Sequence, residues 1–157
     1  MTNARIATSG WKITSLAKNA SKRQNNNLGN ATLTPDEYQK AAVKTAPDRA
    51  DPMEHIQHAV YGLVTEAGEI MDAWKRYIFY GTPLDIKNIK EELGDVLWYV
   101  ALMCEATSTP LKEVMEANIR KLEVRYHGRF NSYNATSRDI PEEQRALDKE
   151  DPGEGGR

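Results

Sequence analysis

Cysteine is all but missing from the chain: Cys104 stands alone, so no intrachain disulfide can form, and a reducing compartment suits the sequence. Long apolar runs are missing too. The longest, Val96 to Cys104, is flanked by Asp95 and Glu105 and falls well short of the roughly 20 residues that a membrane span needs. No apolar stretch near Met1 has the form of a signal peptide, so a cytoplasmic protein without membrane attachment is the expectation. Neither charge is in excess: 21 basic and 23 acidic residues leave a net charge of -2, which singles out no polyanionic partner. No segment alternates like a half-buried strand, and no glycine-rich phosphate loop or Ser-His-Asp grouping is present.

What remains is helical patterning in the middle of 157 residues, enough for one cored domain. Residues 1–33 read as a flexible basic arm: Arg5, Lys12, Lys18, Lys22 and Arg23 are unopposed by acids but too scattered for a nucleic-acid patch. Residues 34–131 read as an all-α domain of four to five helices, and 132–157 as a loose polar, acidic tail. Thr34-Pro35-Asp36-Glu37 has the form of a capping box, and the helix it opens should end before Pro47. A second helix should run from Pro52 to about Tyr80, where Gly81-Thr82-Pro83 stops it, with Ile56, Val60, Leu63, Ala67, Ile70 and Trp74 as its buried stripe. Asp85 should cap a third, with a stripe of Ile86, Ile89, Leu93, Val96, Leu97, Val100 and Met103. A fourth should begin at Pro110, bury Leu111, Val114, Met115, Ile119, Leu122 and Tyr126, and end at Gly128.

Acids intrude on two of these stripes. Glu66 and Glu69 on the second helix, and Glu92 and Asp95 on the third, are each spaced three residues apart, which sets both carboxylates of a pair on one face. A rise of about 1.5 Å per residue brings each pair within reach of one hard cation. Glu66 lies within about 60° of Leu63 and Ile70 on the helical wheel, and Glu92 within about 60° of Ile89 and Val96, so both lean toward apolar surface. Half-buried like charges repel and resist desolvation unless cations neutralise them. One such pair reads as a solvated face; two on consecutive apolar helices read as a site for Mg²⁺ or Mn²⁺. The Glu-x-x-His pairs of a ferritin-like di-iron bundle are absent. Gly68 and Gly94, inside these motifs, suggest close packing, since a helical glycine is otherwise costly. On the fourth helix Asn118, Lys121 and Arg125 share a face that could meet an anionic substrate such as a polyphosphate, or pair with Glu116 and Glu123 in solvent.

The stretch from Gly62 to Glu69 and that from Glu91 to Tyr99 resemble the two acidic motifs of the MazG-like all-α NTP pyrophosphohydrolases, especially short phage-type members. Asn118 to Leu122, with Arg125 and Tyr126, resembles their downstream segment, and the likeness spans about Tyr38 to Asn131. It implies Glu66, Glu69, Glu92 and Asp95 as metal ligands and catalytic residues for Mg²⁺ or Mn²⁺, two or more ions per site, and Asn118, Lys121, Arg125 and Tyr126 as substrate contacts. It also implies a homodimer or homotetramer. The expected reaction converts a (d)NTP to the monophosphate and pyrophosphate by attack of an activated water at the α-phosphorus. Thr65 stands where many members carry a further acid, which removes one choice of general base. Tyr38, Gln39, Trp74 and Trp98 are candidates for the base pocket, with a purine deoxynucleotide such as dGTP as substrate. A non-catalytic nucleotide-binding scaffold or sensor is the alternative; no membrane or nucleic-acid partner is expected.

Overall fold

Thr34 does what its position in the sequence requires. Its hydroxyl accepts the Glu37 N–H at 3.2 Å, while the Glu37 carboxylate accepts the Thr34 N–H at 2.8 Å, which completes a capping box with Pro35 in the first turn. The computed structural model describes residues 32–48 and 51–148, all within a unit that begins at Leu33 apart from Thr32. Residues 1–31, most of the expected basic arm, lie outside the described residues, as do 149–157.

Six α-helices and no strand occur among the described residues: α1 (Pro35–Ala42, continued by a 3₁₀ turn over Val43–Thr45), α2 (Pro52–Tyr80), α3 (Ile86–Ala106), α4 (Leu111–Tyr126), α5 (Ser132–Thr136) and α6 (Ile140–Leu147). The fold is all-α, as expected. Asp51 caps α2 by accepting the Met53 N–H at 2.9 Å, and Gly81 ends it at φ 68°. Asp85 caps α3 through the N–H groups of Lys87 and Asn88. Helix α4 starts at Pro110, which offers no side-chain cap. Its orphan first-turn donors find partners on α1 instead: Leu111 N–H donates to Gln39 Oε1 at 2.7 Å and Lys112 N–H to Asp36 Oδ1 at 3.1 Å.

The main packing is α2 against α3; Ala59 on α2 and Ala101, Leu102 and Cys104 on α3 are buried. The Trp98 indole N–H ties α3 to the end of α1, donating to Ala42 O at 3.1 Å and Thr45 Oγ1 at 2.8 Å. The expected stripes are only partly buried: Val60, Trp74, Leu93, Leu97, Val114, Met115 and Ile119 are exposed. The reason is geometric. Among the described elements α2 packs closely on α3 alone, and α4 leans on α1, α5 and α6, so one flank of each stripe has no neighbour among the described residues.

The segment after Asn131 departs from the expectation of a loose tail. Residues 132–148 form α5 and α6, and α6 docks on α4 through Arg125, Glu143 and Arg138. Glu143, only 2 % exposed, accepts from Arg125 Nε and Nη2 at 3.0 and 2.6 Å and from Arg138 Nε and Nη2 at 3.2 and 2.6 Å. Such forked contacts are specific as well as strong. Arg120 Nε adds a hydrogen bond to Ala146 O.

Candidate metal centre

The long face that α2 shares with α3 brings three of the four singled-out carboxylates together. Glu66 from α2 and Glu92 and Asp95 from α3 each offer an oxygen within 4.8 Å of the others. Glu66 and Glu92 are half-buried and Asp95 is exposed. Burial raises the Glu66 carboxyl above its ordinary range; its hydrogen bond with Glu92 and the charges of Asp95 and Glu92 raise it further. Among the described residues none of the three is ion-paired with a lysine or arginine, although three such groups at close range repel.

Their other partners are few. The Thr65 hydroxyl stands 3.4 Å from Glu66 Oε1 but also 3.0 Å from Gly62 O, and it has one proton to give. The Asn88 amide donates to Glu92 Oε1. Tyr38, on α1, has its phenol pushed up by burial and by the charge of Asp95. An all-oxygen set of this size suits a hard divalent cation.

Glu69 is exposed and is not one of the three grouped carboxylates. Asn118 is exposed, and Lys121 is half-buried without an ion pair among the described residues. Arg125 is held by Glu143 and lies 5.7 Å from the Tyr126 ring centroid. No hydrogen bond or ion pair among the described residues joins these α4 side chains to the three carboxylates. Gln39 is not free to meet a base, because both ends of its amide are engaged, by Leu111 N–H and Glu105 Oε2. Trp98 braces α1, whereas Trp74 is exposed and stacks edge-on with Tyr77. Acid spacing alone does not point to Asn88, yet its place four residues before Glu92 on one helix is a readable signal.

Residues 55–130 match the model of the MazG nucleotide pyrophosphohydrolase domain. The "Gene 37 protein" of Mycobacterium phage L5 is 35% identical over 98 residues, an alignment covering 57% of this chain and 86% of that protein. The chain belongs to the MazG nucleotide pyrophosphohydrolase family. No solved structure gives a significant match. MazG membership supports nucleotide pyrophosphohydrolase activity in general, and it gives the carboxylate group a context, since MazG enzymes are typically dependent on divalent metals. The matched MazG segment holds Glu66, Glu92 and Asp95 and also Glu69, Asn118, Lys121, Arg125 and Tyr126. No helix among the described residues is long and apolar enough to cross a membrane.

Proposed function

We propose that the protein hydrolyses a nucleoside triphosphate, ribo or deoxy, to the monophosphate and pyrophosphate, with Mg²⁺ or Mn²⁺ held by Glu66, Glu92 and Asp95. One observation carries this reading: three carboxylates converge within 4.8 Å, two of them half-buried, with no protein cation paired to any of them among the described residues. Glu69, one turn from Glu66, is the fourth ligand in this proposal, and two or more ions occupy the site. When bound, the divalent ions lower the pKa of water and neutralise phosphate oxygens.

The residues of the chain do the rest. A carboxylate of the group orients the attacking water and takes its proton, a new bond forms from that oxygen to the α-phosphorus, and the bond to the bridging oxygen breaks. Pyrophosphate leaves with the electron pair. Lys121, Arg125 and Asn118 hold phosphate oxygens and Tyr126 the nucleoside side, in keeping with the anion-binding chemistry of such a face. A purine deoxynucleotide such as dGTP is the proposed substrate, on likeness to phage-type members alone.

The assembly proposed is a homodimer or homotetramer. Large apolar side chains stand exposed along α2 (Val64 at 69 %, Phe79 at 74 % exposure) and on α4 (Ile119), and surface of this kind supports the reading.

The deciding experiment is release of pyrophosphate from a panel of NTPs and dNTPs with Mg²⁺ or Mn²⁺, run beside Glu66→Gln and Glu92→Gln. Turnover should vanish in chelator and fall at least about 100-fold in either variant. Unchanged turnover in both would remove the site; binding without turnover of any nucleotide would favour a sensor.

A further inference from the structure

The three carboxylates are unequally supported, and the inequality falls on one residue. Thr65 spends its proton at the Gly62 carbonyl in the shorter of its two contacts, which leaves Glu66 without a firm donor from outside the carboxylate group. Asp95 receives no hydrogen bond from the described residues, and Glu92, beyond its hydrogen bond with Glu66 inside the group, receives one from outside it, from the Asn88 amide nitrogen. The orientation of Asn88 is in turn set from two sides. Its backbone N–H is bound by the capping carboxylate of Asp85 at 3.1 Å, and its side chain is half-buried at the start of α3. An amide suits this position because it donates a hydrogen bond yet carries no charge. A lysine at the same place would neutralise the group and compete with a cation for it.

We infer that Asn88 is a positioning residue, whose amide fixes the Glu92 carboxylate in the orientation that presents it to a divalent cation beside Glu66 and Asp95. The inference rests on the metal-centre reading above. Partners that orient a metal ligand without touching the metal typically contribute about 10- to 100-fold in metal affinity, and Asn88 is assigned a contribution in that range.

The test is calorimetric titration of the full chain with Mn²⁺, with no nucleotide present, for the wild type, Asn88→Ala, Asn88→Gln and Glu92→Gln. Asn88→Ala should bind Mn²⁺ about 10- to 100-fold more weakly. Asn88→Gln, which still carries a donor across one helical turn, should retain most of the affinity. At saturating Mn²⁺ the turnover number of Asn88→Ala should return close to the wild-type value, so the loss appears in metal dependence rather than in kcat. Its melting temperature in chelator should match the wild type, which a merely helix-stabilising role would not give. Asn88→Leu keeps the bulk and removes the donor, and it answers the same question should the alanine variant fold poorly. Wild-type affinity in Asn88→Ala or Asn88→Leu, or an equal loss in Asn88→Gln and Asn88→Ala, would overturn the assignment while leaving the metal centre standing. Wild-type protein that binds no Mn²⁺, or Glu92→Gln that binds it undiminished, would overturn the metal centre itself, and the role of Asn88 with it.

Discussion

Gly62→Ala tests how closely α2 must approach α3 for the carboxylates to meet. A Cβ built at Gly62 lies 2.1 Å from Tyr99 Cε1, more than 1 Å inside the 3.4 Å at which ordinary contact begins. The ring cannot swing aside cheaply, because it stands edge-on to His58 at 5.5 Å and to Trp98 at 4.9 Å. Overpacking of this kind costs about 1–3 kcal/mol. Alanine returns about 1 kcal/mol in helix propensity, so the net loss is up to about 2 kcal/mol. At about 2–4 °C per kcal/mol for a chain of this size, the melting temperature should fall by up to about 8 °C. Gly62 precedes Glu66 by one turn and Tyr99 follows Asp95 by one, so the same wedge parts oxygens that now lie within 4.8 Å. Mn²⁺ affinity should therefore fall with stability. In a Tyr99→Leu background the alanine should cost little, and the cycle isolates the contact. A Gly62→Ala protein that melts higher than wild type and binds Mn²⁺ equally would refute the close approach.

Other substitutions separate further parts of the structure. At Gly68 and Gly94 an added Cβ meets nothing within 4 Å, so alanine at either should raise the melting temperature, by up to about 1 kcal/mol of stability each; a fall accompanied by dissociation in size-exclusion chromatography would show that a second copy covers them. The two arginines hold Glu143 down at about 2, so its contribution to docking α6 is complete above the ordinary carboxylate range and is lost as pH falls through about 2. An acid titration by circular dichroism from about pH 5 to about pH 2 should show this loss in the wild type and not in Glu143→Gln. Arg125→Ala should resemble Glu143→Gln in its melting temperature, and an excess rise in KM in the arginine variant alone would report its proposed phosphate contact.

Helix starts are legible because their signals are local: Thr34 with Glu37, and Asp85 with the next turn, need only neighbours in sequence. The carboxylate group is legible for a related reason, since two i, i+3 pairs lie on consecutive apolar helices; once those helices pack, Glu66, Glu92 and Asp95 converge, whereas Glu69 does not join them. Residues 132–148 read as loose because their stability is not written as an apolar stripe. It comes from Glu143 meeting Arg125 across 18 positions, a pairing that composition cannot reveal. Glycine placement misleads in a similar way. Gly68 and Gly94, expected to pack closely inside the acidic motifs, face open space, while the glycine that contacts another helix is Gly62. Apolar periodicity marks what must be covered and not what covers it, so Leu97 and Ile119 fit their stripes and are still exposed in one chain.

The parts that organise the site lie on both sides of the matched segment 55–130. On the N-terminal side, α1 supplies the Gln39 and Asp36 oxygens that satisfy the first turn of α4, a helix whose own cap position holds a proline. The same short helix receives the indole N–H of Trp98, three residues along α3 from Asp95. On the C-terminal side, Glu143 fixes the guanidinium of Arg125 near the end of α4. Helix α4 is thus anchored at its start by α1 and toward its end by α6, and neither anchor belongs to the helices that carry the acidic motifs. A chain cut to the matched segment would keep every proposed ligand and lose both anchors. Buried donors at Leu111 and an unpartnered Arg125 would remain, and each is costly to leave unsatisfied. Among the described residues the proposed ligands therefore sit in a helical body, with the grouped carboxylates at the α2–α3 seam and α4 held by the flanking helices α1 and α6.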